Sequence, residues 1–359
     1  MHRDTSPANA SPSTVARALS EAAAKDPRVM QSDTVLRACG ALQLQERAQP
    51  PREVPRTEPA SGESAREILS SFTNLVLAGG GNRCWWQAGM WDVLKPEGLA
   101  PTQVAGVSAG AATACMMLAG KTAQTLAHYG HMTAHNPRNF YPGRLLRGQR
   151  AFPHAQMYRE ALLAIFDAQA LDALRSQPPI YVQVSRLPRW LGPRSGVLAG
   201  IFAYQFDKKV RGLLHPRAGR FLGFEPEVLV AQDCPAPEDL ADLILASSCT
   251  PPFTPALHLH GRPVLDGGMV DNVPVDALPV EARQEPTLVL LTRQYERPLP
   301  QSTQRIYIQP SHHVPVRGWD YTNPHGIRAA YELGRHDARA LLTRLRTHGM
   351  ATFLENTHG

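Results

Sequence analysis

Cysteine is scarce and unpatterned: Cys39, Cys84, Cys115, Cys234 and Cys249 show no CxxC or other metal-like spacing. That argues against a cysteine-built metal site and for free thiols in a reducing compartment. No apolar run of signal-peptide length opens the chain, and Asp4 stands where a basic leader belongs, so Sec-type secretion is not expected. The longest uncharged window, from Gly98 to Gly120, reaches membrane-span length. Pro101, Thr102, Gln103, Ser108 and several glycines break its hydrophobicity, which argues against a transmembrane helix. There is no internal repeat and no complete GxxxxGK[ST] phosphate loop. Acidic residues are missing altogether between Glu97 and Glu160.

What remains is a globular composition of 43% hydrophobic and 19% charged residues, enough for a large core in one large domain or two modest ones. A formal charge of +6 favours anionic partners, which covers nucleic acid, phospholipid headgroups and small anions alike. Residues 1–70 read as an N-terminal extension, with "AQPPREVPRTEPASGES" as a polar, Pro-rich linker. Short helices are legible from Ser13 to Leu19 and within "DTVLRACGALQLQ"; docked helices and a largely disordered extension both fit. From residue 72 to 350 short apolar runs alternate with helix-like segments. The strands "NLVLAG", "TQVAGV", "IYVQVS", "EVLVAQ", "TLVLLT" and "RIYIQP" are mostly continuous in hydrophobicity, as suits a sheet covered on both faces. Helical patterns follow at "CWWQAGMWDVL", "AGAATACMMLAG" and near residues 155–175, 237–247 and 324–346. The expected class is α/β, a three-layer α/β/α sandwich around a mostly parallel sheet.

The glycine turn "LAGGGNRCWW" after the first strand invites comparison with a dinucleotide fingerprint. Gly79 and Gly81 supply its first two glycines, but Cys84 fills the third position, and the acidic residue that would bind ribose is absent. In that place stands "GVSAG", with Gly106 and Gly110 flanking Ser108 between a strand and a small-residue helix. This is the GxSxG nucleophile-elbow pattern, weak alone and strengthened by its context. Further on, "LDGGMVDNVP" puts Gly267 and Gly268 after Asp266, leaving the carboxylate open to a partner. Alone, that stretch also reads as an ordinary turn.

In this order the three elements resemble the patatin-like phospholipase family, with its GGGxR/K loop, GxSxG elbow and DG[GA] motif. "LASSCTPPFTP" and "DYTNPHGIRAAYELGRHDARALL" are similar to further segments of bacterial members. The resemblance implies a lipid acyl hydrolase in which Ser108 is the nucleophile and Asp266 the general base. Gly79, Gly80 and Gly81 would form the oxyanion hole, supported by Asn82 and Arg83, with no cofactor and no metal. Cys84 departs from the family's usual glycine. His258, His260, His312 and His313 are the histidines a triad would have to recruit.

Two alternatives stand beside this reading: a carboxylesterase for non-phospholipid esters, and a catalytically silent lipid-binding protein. The basic and aromatic segment 186–224 suits peripheral contact with an anionic membrane, or equally a solvated face over ordinary core aromatics. Trp85 and Trp86 either line an acyl channel or pack the first helix. No nucleic-acid module is recognised. The expected location is cytoplasmic, with peripheral membrane contact.

Overall fold

The computed structural model of the protein describes residues 64–187, 214, 223–300 and 304–355. The chain divides into two units, Met1–Ala60 and Ser61–Gly359. The first unit, with both helices read near the N-terminus, lies outside the described residues, as does most of segment 186–224.

The second unit runs α1 (Ala65–Ser70), β1 (Asn74–Leu77), α2 (Trp85–Leu94), β2 (Gln103–Val107), α3 (Ala109–Leu118) and α4 (Thr122–Ala134). It continues through α5 (His154–Ile165), α6 (Ala168–Arg175), β3 (Ile180–Arg186), β4 (Glu225–Val230) and α7 (Pro237–Ser247). Last come β5 (Leu257–Leu259), β6 (Arg262–Asp266), β7 (Thr287–Leu290), β8 (Arg305–Ile308), α8 (Pro324–His348) and α9 (Ala351–Glu355). Ile68 and Leu69 of α1 are wholly buried, so the ordered body begins upstream of residue 72.

The sheet order is β5-β6-β3-β2-β1-β7-β8, with β4 also paired to β3. Strands β8, β7, β1, β2 and β3 are parallel, and β4, β5 and β6 join antiparallel. Side chains alternate across it: Leu75, Leu77, Leu288 and Leu290 enter a large core with α2, α3, α4, α5, α7 and α8. Val76, Ala78, Val289 and Leu291 face a second cluster with Val273, Val275 and Leu278. Burial on both faces is why these strands read as unbroken apolar runs. Among the described residues the second face is covered by segments such as the 3₁₀ turn Val275–Ala277, where Pro274 and Pro279 leave no room for a long helix. The expected α/β fold with a mostly parallel central sheet is thus the fold observed. No described helix is long and apolar enough to cross a membrane.

One feature of the register positions everything that follows. β4 occupies one edge of β3 from Tyr181 to Arg186. Both other partners must therefore use the opposite edge, where β2 ends with Val107 against Gln183 and β6 ends with Asp266 against Val184. Two strands approach from opposite directions along one edge and stop on adjacent residues of β3. The residues at their tips, Ser108 and Asp266, are forced together.

Helices α2 and α8 pack closely because glycine meets backbone. A Cβ at Gly89 would collide with the Tyr331 carbonyl and stand 2.9 Å from the Arg335 nitrogen. Beside this crossing the Trp86 indole donates to Asp337 Oδ2 at 2.7 Å, and Asp337 also accepts the Ser311 amide and hydroxyl. Asn323 caps α8 by accepting the Gly326 N–H at 2.7 Å. Because backbone cannot rotate away, Gly89→Ala is expected to destabilise the protein by about 1–3 kcal/mol despite alanine's better helix propensity. Urea unfolding measures it; an unchanged or raised midpoint would show that the helices simply slide apart.

Candidate active site

Ser108 follows the last residue of β2 and caps α3, with φ 54° and ψ −133°. That backbone region is rarely adopted by residues other than glycine, and the sharp turn carries the hydroxyl clear of both strand and helix. Gly106 lies in β2 and Gly110 in the first turn of α3; a Cβ on Gly110 would stand 2.5 Å from the Leu77 carbonyl oxygen. The elbow is held by Ser247 at the end of α7, whose hydroxyl accepts the Ser108 N–H at 2.8 Å and donates to the Gln183 carbonyl at 2.7 Å.

The Ser108 hydroxyl donates to Asp266 Oδ2 at 2.8 Å. The carboxylate is oriented from other sides: Thr250 Oγ1 donates to Oδ2 at 3.2 Å, and the Gly268 N–H donates to Oδ1 at 2.7 Å. Gly267 and Gly268 form the 3₁₀ turn Gly267–Met269 that carries that amide back to the aspartate. A direct 2.8 Å contact leaves no room for an imidazole between the two side chains. His258 lies exposed on β5, His260 is exposed in the turn to β6, and His312 and His313 are exposed after β8.

The glycine loop leaves the end of β1 beside the end of β2. Gly79 lies so near the elbow that a Cβ there would stand 3.4 Å from Ser108 Cβ. Its own amide is donated to the Asn272 carbonyl at 3.0 Å, and its carbonyl accepts Thr292 Oγ1 at 2.8 Å and Asn272 Nδ2 at 3.1 Å. The Gly79 amide is thus already committed, whereas the Gly80 and Gly81 amides have no backbone hydrogen-bond partner among the described residues. Gly81 has φ 57°, and a Cβ there would collide with the Gly318 backbone. The neighbouring Asn82 and Arg83 fix the loop: Asn82 Nδ2 donates to the Asp320 carbonyl at 2.7 Å, and Arg83 Nε to the Gly80 carbonyl at 3.1 Å. Cys84 is buried with Sγ 3.6 Å from the Ala78 carbonyl oxygen. Burial pushes its thiol up to about 12, so it packs the loop and has no nucleophilic character.

A family model described as Patatin-like phospholipase matches residues 75–279, which span the glycine loop, the elbow and Asp266. The chain belongs to the patatin-like phospholipase family. Membership supports lipid acyl hydrolase activity in general terms. Among solved structures, VipD from Legionella pneumophila is similar at 13% identity and a TM-score of 0.40, over 76% of this chain and 67% of that one. No curated protein sequence matches the chain.

In this patatin-like domain a cleft opens beside Ser108. Its walls are largely apolar or aromatic: Trp85, Ala112, Met116, Tyr129, Leu162, Ile165 and Phe166 among them. Burial holds the phenols of Tyr129 and Tyr158 far above their ordinary range, so these walls carry no charge at neutral pH. Trp85 and Trp86 divide the roles open to them. Trp85 lines the cleft, edge-on to Tyr129, while Trp86 is wholly buried in the α2–α8 contact.

Several residues that shape the site carry no assigned role in the sequence reading: Ser247, Thr250, Gln183, Asn272, Thr292 and Trp319. Ser247 and Thr250 lie inside the recognisable "LASSCTPPFTP" segment, and Asn272 inside "LDGGMVDNVP", so a signal existed for these three. Thr292 after β7 and Trp319 on the cleft wall belong to no such motif.

Proposed function

We propose that this patatin-like phospholipase is a serine hydrolase that cleaves carboxylic esters of phospholipids and related lipids through a Ser108–Asp266 dyad. The observation that carries the reading is the 2.8 Å hydrogen bond from the Ser108 hydroxyl to Asp266 Oδ2, at the rim of a neutral, apolar cleft. A serine hydroxyl does not ionise usefully at neutral pH, so attack requires a base already in contact with its proton. Asp266 Oδ2 takes that proton as Ser108 Oγ bonds to the ester carbonyl carbon. Negative charge then develops on the carbonyl oxygen, where the Gly80 and Gly81 amides donate to it. Such donors are worth roughly 10²- to 10³-fold each in rate.

Collapse of the tetrahedral species breaks the bond to the alkoxy oxygen. The departing alcohol leaves with the proton held by Asp266, and the acyl group stays on Ser108. Water then attacks the acyl-serine, with Asp266 accepting one of its protons and returning it to Ser108 Oγ as the fatty acid departs. The hydrocarbon chain occupies the apolar cleft and so fixes the ester beside the nucleophile.

Labelling with a fluorophosphonate followed by peptide mass spectrometry is expected to place the adduct on Ser108. Product analysis on a mixed lipid extract is expected to show free fatty acid with the matching lysolipid or alcohol. Turnover confined to short soluble esters would favour the carboxylesterase alternative, and the absence of any adduct on Ser108 would favour the silent lipid binder.

A further inference from the structure

We infer that the turn from Phe140 to Arg150 is a docking surface for anionic lipid bilayers. The inference deepens the lipid hydrolase reading and rests on it. Phe140, Leu145 and Leu146 are three of the five most exposed large apolar side chains among the described residues, at 47%, 59% and 92% exposure. Their clustering within seven positions calls for an explanation that isolated surface leucines do not.

The turn is built to hold them outward. Its 3₁₀ segment, Pro142–Arg147, closes with Arg144 N–H donating to the Tyr141 carbonyl at 3.1 Å. Gly148 ends it in the left-handed conformation, φ 67°, with its N–H on the Leu145 carbonyl at 3.1 Å. Tyr141 N–H donates to the Ala151 carbonyl at 2.8 Å, pinning the base of the turn. None of the residues of this segment is buried in the 3₁₀ turn itself.

The chemistry of the rim identifies the partner. Arg138, Arg147 and Arg150 are exposed around the leucines, and the half-buried Arg144 lies over the Tyr141 ring at 5.2 Å. No acidic residue occurs in sequence from Gly98 to Arg159 to oppose them. The carboxylate that reaches this region, Asp320, accepts from Asn139 Nδ2 at 3.1 Å and from Thr322 Oγ1 at 2.6 Å. Apolar tips inside a ring of arginines match a bilayer with anionic headgroups: the leucines enter the acyl boundary while the guanidinium groups meet phosphate.

The turn is also wired to the active site. Arg150 donates to the Pro252 and Thr254 carbonyls at 3.1 and 2.7 Å, on the loop whose Thr250 donates to Asp266. An aromatic ladder runs inward from the exposed Phe140. Its ring meets Phe152 at 5.1 Å between centroids, Phe152 meets Phe253 at 4.9 Å, and Phe253 stacks on Trp319 at 5.0 Å. Trp319 lines the cleft. Packed aromatic rings therefore connect this turn to the wall of the cleft.

The test is co-sedimentation of the full chain with vesicles, comparing wild type with a Leu145→Asp, Leu146→Asp double variant and an Arg138→Gln, Arg147→Gln double variant. Wild type is expected to bind vesicles rich in phosphatidylglycerol, to bind pure phosphatidylcholine weakly, and to release as salt rises. The leucine variant should bind about 10- to 100-fold more weakly, and the arginine variant should lose most of its preference for the anionic vesicles. Both should keep wild-type turnover on a soluble short-chain ester. Wild-type binding by the leucine variant overturns the proposal, as does equal wild-type affinity for both vesicles or for neither. If wild type binds as described but hydrolyses no ester, soluble or vesicular, the docking surface stands and the hydrolase reading falls.

Discussion

Asp266→Asn is expected to lower ester turnover by on the order of 10⁴-fold while the protein stays folded. The amide is nearly the shape of the carboxylate. With its oxygen in the Oδ1 position it keeps the Gly268 N–H bond, now 2.7 Å, and the strand pairing of β6 to β3 is untouched. What changes is the atom facing Ser108. Its NH₂ group is a donor where Oδ2 now accepts the hydroxyl proton at 2.8 Å, so it cannot take that proton during attack. Steady-state kinetics on a soluble ester, with circular dichroism as the folding control, measures it. Near-normal turnover in a folded variant would sink the dyad, while replacing the exposed His258 and His260 together should leave the rate within a few-fold of wild type. A collapse of the rate in that histidine variant would restore the triad.

The second prediction separates chemistry from stability at one residue. Ser108→Ala and Ser108→Gly should both reduce turnover by roughly 10⁴-fold or more, because each removes the nucleophile. They should differ in stability. At φ 54° and ψ −133° any Cβ is strained by about 1–3 kcal/mol, and glycine is not. Against this, glycine loses about 0.4–1 kcal/mol more backbone entropy on folding than alanine does. The balance makes Ser108→Gly the more stable of the two by about 1 kcal/mol, readable as a higher urea midpoint. If alanine proves equal or better, the turn relaxes once the hydroxyl is gone, and the strain belongs to the Ser108–Asp266 contact instead of the backbone.

Strands β1, β2, β3 and β7 were legible because they are buried on both faces and so appear as largely apolar runs. All six candidate strands are present, from Asn74–Leu77 to Arg305–Ile308. The β5–β6 hairpin was not legible. Its strands, "LHL" and "RPVLD", are three and five residues long, and one of them contains Pro263. Neither offers a run for hydrophobicity to mark, so Asp266 read as part of a turn when it is the last residue of a strand. The helical pattern near residues 155–175 proves to be two helices, because Asp167 accepts the Ala170 N–H and caps a new one. Helix α4 escaped notice because "TAQTLAHYGHMTA" has too few apolar residues to show its buried face.

In the site itself, the proposed nucleophile and base are marked by glycine. Close backbone approach excludes side chains around both the elbow and the aspartate, and that exclusion is visible in letters. The proposed loop donors were less readable. Gly79, Gly80 and Gly81 look equivalent in sequence, and only the fold commits the first amide to Asn272, a residue on the far side of the molecule's primary structure. Hydrogen bonds of that kind depend on which distant segments meet, which a local pattern does not encode.

Ser108 and Asp266 lie 158 residues apart in sequence and meet only because β2 and β6 stop nose to nose on β3. A nascent chain carrying Ser108 but not yet β6 has the proposed nucleophile without its proposed base. The same holds whenever the hairpin peels away: its β5 strand is no more than half-buried along its length, so it is the lightly anchored half of the pair. Catalysis by the proposed dyad is thus a property of the closed sheet.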